Sequence, residues 1–133
     1  MMNRSLIIIS IILFLGIPCK SQKAESYFES GQSKMRAKNI SGALVDFNLA
    51  ISINPDYELA YVSRGLCRMA QGNWAKAIAD CNKAIELNPQ QAIAYFVRGC
   101  AKANTGKNGC DDLYKSLNLG YAMAQKGIKQ FCN

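Results

Sequence analysis

The sequence predicts an all-α fold, a stack of three helix hairpins closed by a C-terminal capping helix. Two observations carry this. Tyr27, Tyr61 and Tyr95 stand 34 residues apart, and Gly31/Gly65/Gly99 and Lys34/Arg68/Lys102 keep the same step. In the first two copies Ala43/Ala77, Asp46/Asp80, Ala50/Ala84, Ile51/Ile85 and Asn54-Pro55/Asn88-Pro89 also coincide. A fixed period of this length marks stacked units, none of which can bury its apolar face alone. Such stacks present a surface to a partner more often than a catalytic pocket.

The elements follow in order. Ala24 to Ala37 is rich in helix formers, and Asn39 to Gly42 breaks it. Gly42 to Ile53 then places Ala43, Phe47, Ala50 and Leu44, Ile51 at spacings of three, four and seven, an amphipathic helix. Asn54-Pro55-Asp56 stops it, because the residue before a proline is pushed out of the helical region. The second copy gives helices from Glu58 to Ala70 and from Trp74 to Leu87, with a break at Gln71-Gly72-Asn73 and a stop at Asn88-Pro89. The third opens with Ala92 to Asn104 and breaks at Thr105-Gly106-Lys107. Matching Lys115-Ser116 to Lys83-Ala84 sets Asp112 on Asp80, so this turn is two residues shorter. Gly120 ends the sixth helix. Tyr121, Ala124, Ile128 and Phe131 then form a stripe suited to covering the end of the stack. The expected repeats are 24–57, 58–91 and 92–120, with a cap over 121–132.

Before this lies Leu6 to Leu15, LIIISIILFL, preceded by Arg4 and followed by Gly16 and Pro18. A positive start, an apolar run of about 7–15 residues and a breaker describe a secretory signal peptide. A membrane span needs about 20 apolar residues. Residues 1–21 are therefore expected to be a leader, with the folded domain at 22–133. Cleavage after Ser21 suits small residues at Cys19 and Ser21. The alternative is a lipoprotein acylated at Cys19, although Pro18 directly before that cysteine and the early Leu15 fit it poorly. A retained anchor is the third route. The expected location is periplasmic or secreted, with a membrane partner only if Cys19 is lipidated.

Loss of residues 1–21 leaves 14 basic and 9 acidic side chains, a net charge of +5. The charges are scattered, which suits solubility, and export argues against nucleic acid as a partner. The chain contains no histidine. That excludes Ser-His and Cys-His dyads and the commonest transition-metal ligand. Asp111 and Asp112 are neighbours and cannot face each other on a helix as a catalytic pair; they sit where helix N-terminal charge is favourable. No enzyme activity, cofactor or metal is expected.

The segment AYVSRGLCRMAQGNWAKAIADCNKAIELNP, Ala60 to Pro89, resembles the tetratricopeptide repeat (TPR), and its neighbours extend the resemblance from about Ala24 to Leu119. Tyr61, Gly65, Ala77, Ala84 and Pro89 meet the family pattern. The ending GCDDLYKSLNLGYAMAQKGIKQFC is similar to that of small exported bacterial TPR proteins, in which a cysteine pair brackets the last hairpin. The resemblance implies a right-handed superhelix whose first helices line a concave groove for a peptide or partner helix. Cys110 at the start of the sixth helix and Cys132 at the end of the cap are then expected to lie side by side and form a disulfide, since bridges persist outside the cytosol. Cys67, Cys81 and Cys100 fall inside helices and read as small buried hydrophobes. Cys81 stands where the first copy has Phe47.

Family geometry also names the groove residues: Phe28, Gln32, Met35; Leu59, Val62, Leu66, Met69; Ile93, Phe96 and, beside it, Cys100. An apolar stripe on a solvent face usually means a contact. It reads equally as a seam where first helix packs on first helix. On the groove reading, polar replacements at Phe28, Val62 and Phe96 abolish partner capture and leave the stack folded; on the seam reading they unfold it. Chaperone-binding TPR domains grip a terminal carboxylate with lysine, asparagine and arginine. The corresponding places here hold Phe28, Gln32, Ser63, Ile93 and Val97, so that activity is not carried over. Asp46 and Asp80 precede Arg64 and Arg98 by 18 and are expected to pair with them between repeats. Lys34, Arg68 and Lys102 are expected to lie along apolar surface. The sequence thus points to a non-catalytic interaction module of the cell envelope, or alternatively to a structural or accessory subunit held there through a lipid on Cys19.

Overall fold

A computed structural model describes residues 20–133. The leader and Cys19 lie outside the described residues, apart from Lys20 and Ser21. Seven helices and no strands are present among the described residues: α1 Lys20–Arg36, α2 Ile40–Ile53, α3 Glu58–Ala70, α4 Trp74–Leu87, α5 Ala92–Asn104, α6 Cys110–Asn118 and α7 Ala124–Phe131. None is long and apolar enough to cross a membrane. α1/α2, α3/α4 and α5/α6 pair as hairpins, each second helix packs on the next first helix, and α7 lies against α5 and α6.

The bounds of α3, α4 and α5 fall where the breakers place them. Lys20 to Lys23, the four residues before Ala24, are already helical, since nothing in Lys20-Ser21-Gln22-Lys23 opposes a helix. α2 begins at Ile40, not Gly42. The left-handed turn residue is Lys38 (φ 61°), in step with Gly72 (φ 72°) and Gly106 (φ 73°). Asn39 then caps α2 by accepting from the Gly42 N–H at 2.9 Å. The Asn-Pro stops work the same way twice, with the Asn54 and Asn88 side chains accepting from the N–H of Asp56 (3.2 Å) and Gln90 (3.0 Å). The cap is shorter than the expected 121–132. Tyr121 to Met123 form a turn after Gly120 (φ 95°), and Tyr121 packs against Phe96 with ring centroids 5.2 Å apart and the rings tilted by 60°.

Alanines and small residues let the helices close up. Ala43, Ala50, Ala77, Ala84, Ala94 and Ala101 are fully buried. Phe47 fills the core of the first hairpin and lies under Gly31. In the second hairpin the smaller Cys81 takes that place. In the third, the shortened turn draws α5 and α6 together. A Cβ on Gly99 would stand 2.8 Å from Leu113 Cγ and 2.9 Å from the Gly109 carbonyl oxygen. On Gly65 the nearest atom would be Cys81 Sγ at 3.3 Å, which can yield.

The two glycines therefore differ in what they tolerate. Gly99→Ala is expected to cost about 2 kcal/mol through overpacking against a backbone that cannot move. Gly65→Ala is expected to stay within about 1 kcal/mol of the parent, since alanine's helix propensity offsets the tight contact. Paired urea denaturation curves check the ranking.

Candidate interaction surface

Each repeat is organised around one buried aspartate. Asp80 accepts from the Arg64 guanidinium at 2.7 Å and from Arg68 at 2.8 Å. Asp112 accepts from Arg98 at 2.7 Å and from Lys102 at 2.8 Å. Asp46 accepts from Ser30 at 2.7 Å and pairs with Lys34 at 2.8 Å. Ser30 stands 34 residues before Arg64, so the first repeat replaces the arginine with a hydroxyl. Arg64 also donates to Asn48 at 2.8 Å, and Arg98 to Asn82 at 2.9 Å. Among the described residues no repeat precedes α1 to offer such an acceptor.

This corrects the expected pairing. The ion pairs lie within each repeat, not between Asp46 and Arg64 or Asp80 and Arg98, and the link between repeats runs through asparagine. Lys34, Arg68 and Lys102 bind the same carboxylates. The two-residue shift expected for Asp112 holds, because Arg98 meets it in the same geometry. Burial alone would raise the Asp112 carboxyl, but Arg98 and Lys102 outweigh it and hold the pKa below the usual carboxylate range. Asp46 shows the same balance, with burial opposed by Lys34 and Ser30. The tyrosines belong to this frame too. Tyr61 donates to the Pro55 carbonyl at 2.9 Å and Tyr95 to that of Pro89 at 3.0 Å, so each ties its repeat to the one before. The Arg64 and Arg98 guanidiniums lie 5.4 Å from the centroids of those rings.

The stripe on the first helices is not uniformly open. Phe28 and Val62 are 8% and 3% exposed. Phe28 packs on Phe47 and Tyr57, and Val62 joins the core with Ala94 and Val97 of α5. Val62 thus lies in the seam between first helices, while Phe28 packs within its own hairpin and against the turn that leads into α3. Phe96 and Met69 are half-buried, and with Cys100 they pack against the cap residues Ile128 and Phe131. Gln32, Met35, Leu66 and Ile93 are half-buried, and Leu59 is 43% exposed. What remains open on this face centres on Leu59. The half-buried Tyr57 lies two residues before it in sequence, and its hydroxyl pKa is raised by burial and then by the charges of Glu25 and Glu29. The sequence reading missed both glutamates, although Glu25, Leu59 and Ile93 are in 34-residue step.

Of the places where a carboxylate grip would need polar groups, Phe28, Ser63 and Val97 are buried. A shallow hollow of about 490 Å³ elsewhere, between Gln71–Ala75 and Thr105, lies away from this stripe.

Cys110 and Cys132 lie in disulfide geometry, their Cα atoms 5.7 Å apart, joining the start of α6 to the end of α7. Cys67, Cys81 and Cys100 are buried, and burial raises their thiols to about 11, 12 and 11, with Asp80 and Asp112 adding to the effect at Cys81. They are packing groups and not nucleophiles. Cys132→Ser is expected to lower stability by about 3 kcal/mol through loss of the loop constraint. Alkylation with and without reductant reads out the bridge: both thiols labelling freely in unreduced, exported protein would show that it does not form.

Residues 59–91 match the family model of the tetratricopeptide repeat. In fold the chain is similar to the Arabidopsis OM64 TPR domain, with a TM-score of 0.80 and 22% identity over 85% of this chain and 97% of that one. It is also similar to the first TPR domain of Spaghetti (RPAP3) bound to the HSP90 peptide SRMEEVD, with a TM-score of 0.81 and 24% identity over 88% and 96% of the two chains. The second TPR domain of human RPAP3, in complex with the HSP70 peptide SGPTIEEVD, has a TM-score of 0.80 at 20% identity over 86% and 99%. No curated protein gives a significant match. What the chain shares with these structures is the fold, a helical stack of TPR hairpins.

Proposed function

We propose that the protein is a non-catalytic interaction module of the cell envelope that holds a peptide or partner helix on the concave side of its first helices. The observation that carries this reading is the open part of that face. Leu59 is exposed on the first helix of the second repeat, and Leu66 and Ile93 of the same stripe are half-buried, which leaves apolar side chains on that face available for a contact. Two TPR domains of the same fold were solved with peptides bound. Residues 1–21 read as a leader, and the placement of Cys110 against Cys132 suits a chain that folds in an oxidising compartment. The grip on a terminal carboxylate is not part of the proposal, because its positions lack cations.

Cross-linking in intact cells, followed by mass spectrometry of what is captured, tests the reading. A discrete partner enriched over a scrambled-surface control supports it. Only a diffuse background, or a soluble cytosolic location of the chain, contradicts it. A lipid found on Cys19 of the mature protein would instead make the module a lipid-anchored accessory subunit.

A further inference from the structure

We infer that the open part of the groove selects a peptide carrying lysine or arginine beside apolar side chains. This rests on the interaction reading above and names the chemistry of the partner. Glu25 and Glu29 stand one turn apart on α1, either side of Phe28 in sequence, and both are exposed. Among the described residues neither makes an ion pair. Like charges at this spacing weaken a helix. Most other carboxylates are engaged. Asp46, Asp80 and Asp112 serve the repeat frame, Glu86 pairs with Lys83, and Glu58 accepts from Asn88 and Gln91. In a chain of net charge +7, two unpaired glutamates on one face stand out as locally uncompensated charge.

Their surroundings supply the apolar half of the site. Phe28 packs against Tyr57 with ring centroids 4.9 Å apart and the rings tilted by 45°, and the Tyr57 hydroxyl pKa is raised by burial and then by the charges of Glu25 and Glu29. Leu59 follows two residues later, 43% exposed. The row Glu25, Leu59, Ile93 therefore passes from carboxylate to apolar across the three repeats. A cation set next to an apolar side chain meets both ends of that row. An acidic segment, such as the peptides held by the RPAP3 domains, would bring its carboxylates to Glu25 and Glu29, and the grip positions Phe28, Gln32, Ser63, Ile93 and Val97 offer no cation in return.

The test uses two short, end-blocked, fluorescein-labelled peptides of leucine and alanine, one bearing two lysines and the other two glutamates, titrated with the purified protein by anisotropy. The lysine peptide is expected to bind at least about tenfold more tightly at low ionic strength, with the gap narrowing as salt rises. Combining Glu25→Gln with Glu29→Gln is expected to remove the preference and leave the thermal transition in place, since both side chains are exposed. Equal binding of the two peptides overturns the inference. So does tighter binding of the glutamate peptide, a preference that survives the double substitution, or no binding of either. In the first three cases a peptide is still held and the interaction reading stands, while partner capture in cells judges that reading separately.

Discussion

Replacing Phe28, Val62 and Phe96 together with asparagine is expected to unfold the stack. Phe28 and Val62 are 8% and 3% exposed, and Phe96 lies under Tyr121 and the cap. At Phe28 and Val62 each substitution forfeits about 1.5–3 kcal/mol of apolar burial, and at the half-buried Phe96 a smaller amount. At Phe28 and Val62 the substitution also places a polar amide in a buried apolar site, at about 1–3 kcal/mol. A domain of this size has only about 5–15 kcal/mol to lose. Far-ultraviolet circular dichroism and a urea titration read the outcome. A triple variant that stayed folded but lost partner capture would return these side chains to the groove.

Removal of the Asp80 carboxylate has the second largest expected effect. Asp80 is 3% exposed and receives Arg64 and Arg68, themselves mostly covered at 16% and 21% side-chain exposure. Asp80→Ala leaves two guanidiniums facing each other without a counter-charge, at an expected cost of about 3 kcal/mol. Arg64→Met is expected to cost less, because Arg68 still neutralises the carboxylate. Denaturation of the two single variants and the double variant separates the pair energy from the cost of stranding a charge. A loss below about 1 kcal/mol for Asp80→Ala would mean that the frame is no more than a surface ion pair.

Acid should expose the same frame. Asp112 and Asp46 have folded pKa values below the ordinary one. Their contribution is therefore fully present above the unfolded value of about 3.9 and disappears as pH falls through the lower, folded value. Stability is expected to be level in this respect near neutrality and to fall below about pH 4. Asp112 should contribute more than Asp46, because Lys34 is 41% exposed and its pairing is screened by solvent.

Much of this architecture is legible in the residues. Gly72, Gly106 and the two Asn-Pro pairs punctuate the chain, so α3, α4 and α5 have the bounds that local chemistry dictates. The two-residue deletion before Asp112 is legible as well, since its carboxylate keeps register with Asp80 and meets Arg98 in the same way. Other features depend on how helices tilt against one another. The spacing of 18 between Asp46 and Arg64 looks as regular as the 16 between Arg64 and Asp80, and only packing decides which carboxylate the arginine reaches. Phe28, Val62 and Leu59 share one stripe, yet the stack buries two of them and leaves the third exposed. Lys38 hid a left-handed turn because only the 34-residue step from Gly72, and nothing in its own chemistry, marks it.

A photo-reactive amino acid placed at Leu59, with a second at Tyr114 as control, tests the central claim most directly. Both positions are exposed, at 43% and 49%, but Leu59 lies on a first helix and Tyr114 on the second helix α6. On irradiation of intact cells, position 59 is expected to capture a discrete protein or peptide that position 114 does not. Capture from position 114 alone, or none from position 59, would contradict the assignment of the first-helix face as the binding surface.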